Sequence, residues 1–168
     1  QDVSVYPIDK LGDVLQRIGE DQQKVLADPN TANAWTQLVM EEAGAILVAG
    51  QDPTMLPKAC KNPVELAGMR AAHLRDGVAV TRFLAWLDRL IASGEFDGVD
   101  EGTLADQLEA FRHEQEHYVE PSFDTISALG PNAAMCHYRH TNGTPRAFGQ
   151  DSIYLVDSGA QYLDGTTD

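Results

Sequence analysis

The chain has 168 residues, with 26 Asp and Glu against 12 Lys and Arg, a net charge of -14. At roughly 150 residues per domain, this length allows one domain or two small ones and is enough to bury a core. The acid excess argues against nucleic acid or an anionic membrane as partner and suits a metal ion or a cationic ligand, with plain solubility as the alternative.

Val3-Ser4-Val5-Tyr6, stopped by Pro7, reads as a short strand. Leu11, Val14, Leu15 and Ile18 recur at helical spacing up to Gly19. Val25-Leu26-Ala27 is a second strand, a helix follows through Trp35, Leu38, Val39 and Ala43 to a stop at Gly44, and Ile46-Leu47-Val48 is a third strand. This alternation is that of an α/β layer, in a module of about 60 residues that is marginal alone and reads as part of a larger domain. A boundary is expected near Pro57 to Asn62.

Beyond it, Asn62 as cap, Pro63 at the first helical position and Glu65 at the third announce a long helix from about 63 to 93, stopped by Gly94 and open to a break near Gly77. Thr103 is the expected cap of a further helix through Leu104, Leu108 and Phe111, ending before Pro121. From Ser122 the helical period disappears, and short strands are expected near Thr125 to Ser127, Ala134 to Tyr138, Ile153 to Val156 and Ala160 to Tyr162.

The charge is lopsided: residues 95–168 hold 14 acids and 3 bases, whereas residues 1–94 carry a balance of only -3. No stretch reaches the roughly 18 apolar residues of a membrane span. Gln1-Asp2-Val3-Ser4 lacks the basic and apolar regions of a signal peptide and an initiator Met, so the expectation is a start inside a longer product. Cys60 and Cys136 form no CxxC pair and read as reduced thiols of a cytoplasmic protein.

Two constellations carry chemistry. Ile153-Tyr154-Leu155-Val156 is an apolar strand ending on Asp157, and Asp168 follows eleven residues later, with the turn signal Asp164-Gly165 between them. The two strands would be hairpin neighbours. A strict turn at Asp164-Gly165 leaves the acids offset by roughly 13 Å at strand rise, so an earlier turn centre or a bulge is needed to bring them together. Paired carboxylates with an imidazole would suit Mn²⁺, Zn²⁺ or Co²⁺, and solvated turn acids are the other reading. Separately, His113-Glu114-Gln115-Glu116-His117 spells H-E-x-x-H, with both His on one face of a predicted helix. A zinc site there needs a third ligand and shelter, and a solvated surface helix is the simpler account. His73 reads as structural, and His140 receives no role.

Asp157-Ser158-Gly159-Ala160-Gln161-Tyr162 followed by Asp164-Gly165-Thr166-Thr167-Asp168 resembles the metal-binding strand pair of the Xaa-Pro aminopeptidases, within the pita-bread metallopeptidases that also include prolidase, methionine aminopeptidase and the metal-free creatinases. Lys61-Asn62-Pro63-Val64-Glu65-Leu66-Ala67-Gly68-Met69-Arg70 resembles the start of that family's catalytic domain. Ser122 to Ser127, Gly130-Pro131-Asn132 and His137-Tyr138 resemble the segment with an active-site histidine. The resemblance covers roughly residues 61–168, and residues 1–60 resemble the end of the preceding non-catalytic domain.

The resemblance implies an α/β (α+β) chain: residues 1–60 as the C-terminal part of a creatinase-type N-terminal domain and residues 61–168 as the N-terminal half of a pita-bread catalytic domain. It implies hydrolysis of peptides with Pro at the second position, on two divalent ions, Mn²⁺ foremost and Zn²⁺ or Co²⁺ as alternatives. Asp157 takes one ligand position and Asp168 a bridging one, and His137 donates a hydrogen bond at the substrate side. The family's remaining ligands, one His and two Glu, match no segment here, so this chain is expected to be an inactive fragment. A homodimer is allowed. Kept beside this are a non-catalytic interaction domain and a prolidase- or creatinase-like hydrolase.

Overall fold

The computed structural model describes residues 4–149 and 152–168. The chain divides into two compact units, Gln1–Cys60 and Lys61–Asp168.

In the first unit a 3-10 turn, Ile8–Lys10, runs into α1 (Leu11–Glu20). Then come β1 (Lys24–Ala27), α2 (Ala34–Glu42) and β2 (Ile46–Ala49). The two strands pair in parallel, Lys24 opposite Ile46 and Ala27 opposite Ala49, with α2 as their crossover. Asn33 starts α2 by accepting a hydrogen bond from the Trp35 N–H at 2.8 Å. A short α3 (Met55–Ala59) closes the unit, where the sequence signalled only a boundary. The core is thin: Leu15 and Met40 are buried, but Leu26, Ile46 and Val48 are 50%, 53% and 44% exposed, although parallel strands are normally covered on both faces. The strand expected at Val3–Tyr6 does not form among the described residues. Val3 lies outside them, Ser4 to Tyr6 find no pairing partner, and Val5 stands in solvent.

The second unit opens with α4 (Pro63–Ser93), started and stopped by local chemistry. Asn62 accepts from the N–H of Val64 and Glu65, both at 2.9 Å, while Glu65 accepts from the Asn62 N–H at 2.8 Å. Gly94 ends it in the left-handed region, φ 70°. The helix passes Gly77 without a break. Its buried stripe is Ala72, Asp76, Ala79 and Phe83, a helical spacing that carries one charged residue inward.

α5 (Glu101–His113) is capped by Asp100, not Thr103. The Asp100 carboxylate accepts from the Thr103 N–H at 2.9 Å, and the Thr103 hydroxyl accepts from the Asp100 N–H at 2.7 Å. Thr103 is therefore the third residue of a capping box, where its hydroxyl closes the ring that the stronger carboxylate acceptor begins. The helix also stops earlier than its pattern suggested. His117 takes a left-handed φ of 66°, and the chain turns into β3 (Tyr118–Pro121).

The remaining strands are β4 (Ile126–Leu129), β5 (Tyr154–Asp157), β6 (Ala160–Tyr162) and β7 (Gly165–Thr166). β4 and β5 form an antiparallel pair, and β6 lies between β3 and β7 in a second sheet. The strand expected at Ala134 to Tyr138 is absent: Gly130–Ala134 is a 3-10 turn, and a further turn follows. Pro131 lacks a donor and Gly130 has φ 54°, so the backbone leaves the sheet there.

Phe83, Leu104, Leu108 and Leu129 form the main core, joining α4 and α5 to β4, with Trp86, Phe111, Tyr154 and Val156 packed around them. Burial of such side chains is worth about 1.5–3 kcal/mol each. A second cluster, Ala72, Ala160 and Tyr162, seats the β6–β7 hairpin on α4. The approach is so close that a Cβ at Gly68 would overlap the Asp164 carbonyl.

Candidate functional site

β4 and β5 put alternate side chains on opposite faces. Ser127 pairs with Val156 and Leu129 with Tyr154 on the core side, whereas Ile126 pairs with Asp157 and Ala128 with Leu155 on the other. That second face floors a groove of about 320 Å³, walled by Ala133, Ala134, Met135, Cys136 and His137. His137 and Asp157, twenty positions apart, thus meet in one groove. Asp157 is exposed, and its carboxylate makes no hydrogen bond or ion pair among the described residues.

Glu101 holds the groove's wall. Its side chain is 0% exposed, and its donors come from β4, from the turn that walls the groove and from Arg146 beyond it. It accepts from the Leu129 N–H at 2.7 Å, from Asn132 Nδ2 at 2.9 Å, from the Tyr138 hydroxyl at 2.7 Å and from the Arg146 N–H at 3.0 Å. Burial raises its pKa and is the largest single influence. The hydrogen bonds from Tyr138, Leu129, Arg146 and Asn132 together outweigh it and hold the carboxyl below its ordinary value. Tyr138 responds in kind: its hydrogen bond to Glu101, then burial, pushes the phenol up to about 12. His137, next to this anchored tyrosine, sits in a turn at φ 55° with its side chain exposed. The short strand expected around it is replaced by that turn.

Asp168 reaches the neighbourhood by another route. β5 pairs with β4, so Asp157 and Asp168 are not on hairpin neighbours as the sequence suggested; the hairpin is β6–β7. Its turn residues are Leu163 and Asp164, because Tyr162 pairs with Gly165 and Gln161 with Thr166. This is the earlier turn centre that brings the acids closer. The Thr167 N–H donates to the Ala160 carbonyl at 2.9 Å, and the same register sets Asp168 opposite Gly159, two residues past Asp157. The Asp168 side chain is exposed and, like that of Asp157, engages no partner among the described residues. Two unpaired carboxylates are hard donors that suit a divalent cation, but no group of three His, Cys, Asp or Glu assembles a complete cage among the described residues.

A buried network lies beneath the Asp157 end of β5. Arg112 is 2% exposed and Asp76 7%. Arg112 donates to Asp76 through Nε at 2.8 Å and Nη2 at 3.1 Å, and Nη2 also reaches the Ser158 carbonyl at 3.4 Å. The Tyr162 hydroxyl donates to Asp76 at 3.0 Å. Sequence reading missed Asp76, Glu101 and Arg112, although each had a signal: a charged residue on the apolar stripe of its helix.

The H-E-x-x-H segment does not form a site. α5 ends at His113 and His117 lies past the helix, so the two rings do not share a helical face. His113 packs edge-on against Tyr118, and Glu114 pairs with Arg82 at 2.6 Å. His73 makes a local contact, its Nδ1 2.8 Å from the Met69 carbonyl. Cys60 and Cys136 are both free and exposed.

The chain is 55% identical over 112 residues to a probable Xaa-Pro aminopeptidase P of Verticillium alfalfae, covering 66% of this chain and 18% of that protein. It is 40% identical over 167 residues to the Xaa-Pro aminopeptidase ApepP of Drosophila melanogaster, covering 99% of this chain and 26% of that one. Among solved structures it matches the X-prolyl aminopeptidase of Caenorhabditis elegans, described as a cytosolic enzyme with a di-nuclear active site. That match has a TM-score of 0.83 and 35% identity, over 98% of this chain and 27% of that one. The X-Pro aminopeptidase of Thermotoga maritima, at 18% identity and a TM-score of 0.72, shares the fold. The chain therefore spans about a fifth to a quarter of the length of the Verticillium, Drosophila and Caenorhabditis relatives, as a mixed helix and strand portion of the pita-bread architecture. The model of metallopeptidase family M24 matches residues 67–168, well over half of the chain, and the chain belongs to that family.

Proposed function

We propose that this chain is part of a proline-specific metalloaminopeptidase that releases the N-terminal residue from Xaa-Pro peptides. Residues 1–60 would be the end of a non-catalytic domain and residues 61–168 the first half of the catalytic one. The observation that carries this reading is the groove joining His137 to a solvent-facing, unpartnered Asp157, in a chain 40% identical to the Drosophila enzyme over 167 residues.

Asp157 and Asp168 are the proposed ligands of a pair of divalent ions, Mn²⁺ foremost, completed by residues outside this chain. When bound, such ions make hydroxide available near neutral pH and polarise the scissile carbonyl. This chain's own part is positional. Asp157 would supply a hard oxygen donor from the end of β5 and Asp168 one from just past β7. His137 donates a hydrogen bond from the groove wall to the carbonyl oxygen as negative charge develops on it. Ile126 and Leu155 give the floor an apolar surface against which a proline ring excludes water. The cytosolic description of the nematode relative supports a cytoplasmic setting, and among the described residues no helix is long and apolar enough to cross a membrane.

The test uses the full-length protein. Asp157→Ala and Asp168→Ala should each abolish Mn²⁺-dependent cleavage of an Xaa-Pro peptide, while His137→Ala lowers kcat by about 10²–10³ with Mn²⁺ still bound. Full activity in either Asp variant overturns the reading.

A further inference from the structure

Ser122 follows β3 directly and stands at the end of the three-stranded sheet, in a row that crosses Gly159 and reaches Asp168. Its backbone N–H donates to the Gly159 carbonyl at 3.1 Å. Its hydroxyl passes over Gly159 and donates to the Thr167 carbonyl at 2.9 Å. One half-buried residue just past the outer strand therefore ties the residue before the middle strand to the residue after the far one. The two carbonyls it holds lie two residues past Asp157 and one residue before Asp168.

Gly159 makes this crossing feasible. A Cβ there would overlap both the Ser122 hydroxyl and the Thr167 carbonyl oxygen, so the hydroxyl occupies the space that any side chain would fill. The β6–β7 ladder ends at the pair Gln161 and Thr166. Beyond it, the two segments are joined by Thr167, whose N–H donates to the Ala160 carbonyl at 2.9 Å and whose hydroxyl accepts from the Ala160 N–H at 3.0 Å, and by the Ser122 bridge.

We propose that Ser122 is a positioning residue: it fixes the spacing between the Asp157 and Asp168 backbones and thereby sets the affinity of the divalent-ion site to which both contribute. This rests on the reading of the two aspartates as metal ligands. Neither carboxylate is oriented by a hydrogen bond of its own among the described residues, so their separation depends on the backbone beneath them. Donors held loosely must be ordered by the ion itself, which weakens binding.

The experiment titrates the metal-free, full-length protein with Mn²⁺ and follows free ion by electron paramagnetic resonance, well below the unfolding temperature of each variant. Ser122→Ala removes the hydroxyl bridge and keeps the backbone bond to Gly159; the expected result is an affinity about tenfold weaker. Ser122→Thr keeps the hydroxyl and should restore wild-type affinity. A purely structural role would lower the unfolding temperature without moving the affinity. If Asp157→Ala weakens binding while Ser122→Ala matches wild type, the inference is wrong and the metal-site reading stands. Equal weakening in Ser122→Ala and Ser122→Thr, or failure of Ser122→Ala to fold, also overturns it, since the hydroxyl then has no separate effect on the ion. If Asp157→Ala leaves Mn²⁺ affinity unchanged, the metal-site reading itself falls and the inference with it.

Discussion

Arg112 and Asp76 meet side-on through two hydrogen bonds, at 2.8 Å and 3.1 Å, with both side chains withdrawn from water. Removing one partner strands the other as a buried charge. Asp76→Ala or Arg112→Ala should therefore cost about 3–5 kcal/mol in urea unfolding. Replacing both together by Leu and Met should recover a large part of that loss. A cost below about 1 kcal/mol for either single variant would show that solvent reaches the pair.

Glu101 predicts the acid limb of stability. Its folded pKa lies below the ordinary 4.5, so its contribution is complete above that pH and is lost as pH falls through the folded value. Thermal unfolding followed from neutral pH downward should lose stability in this window, and Glu101→Gln should flatten that dependence. The variant should also lose about 1–3 kcal/mol at neutral pH, because an amide turns donors toward the donors of Tyr138 and Asn132. Tyr138 predicts the alkaline limb. Its pKa is raised from 10.0 to about 12, so its contribution is complete below the ordinary value and is lost as pH rises toward about 12.

Two glycines should respond with opposite sign. A methyl at Gly77 meets nothing within 4 Å on a helix surface, so Gly77→Ala should stabilise by about 0.5–1 kcal/mol. A methyl at Gly159 collides with Thr167 and Ser122, so Gly159→Ala should destabilise by about 1–3 kcal/mol. Thermal melts of the two variants decide both; a Gly159→Ala variant as stable as wild type would refute the packing described around Gly159.

The 168-residue chain by itself should release no N-terminal residue from Xaa-Pro peptides and should bind Mn²⁺ weakly. Its two free carboxylates are joined by no third ligating group among the described residues. Calorimetric titration would expose an error as a tight, stoichiometric isotherm that Asp157→Ala abolishes.

What the sequence could convey followed the range of each interaction. The start of α4 was fully legible because Asn62, Pro63 and Glu65 settle it among themselves, and Gly94 settles its end. The strands β1 and β2 and the helix between them were legible from alternating periods with short loops. The turn at His137 was not, because it depends on Glu101, thirty-six positions away, drawing in Tyr138 and Asn132. The H-E-x-x-H pattern misled for a related reason: His117 leaves the helix to let Tyr118 pair with Tyr162 across β3 and β6. Asp157 and Asp168 stood out as acids at strand ends. The register that relates them, and the residues beneath them, come from tertiary contacts that spacing does not encode.

α4 gives the unit a particular mechanical character. At 1.5 Å per residue its 31 residues make an unbroken rod about 46 Å long. Near its start it seats the β6–β7 hairpin through Gly68 and Ala72; further along, Phe83 anchors it in the core with β4. The strand preceding Asp168 and the sheet bearing Asp157 are thus bolted to one beam, with no hinge between them. Amide exchange in β5 and β6 should accordingly proceed together, as one cooperative opening.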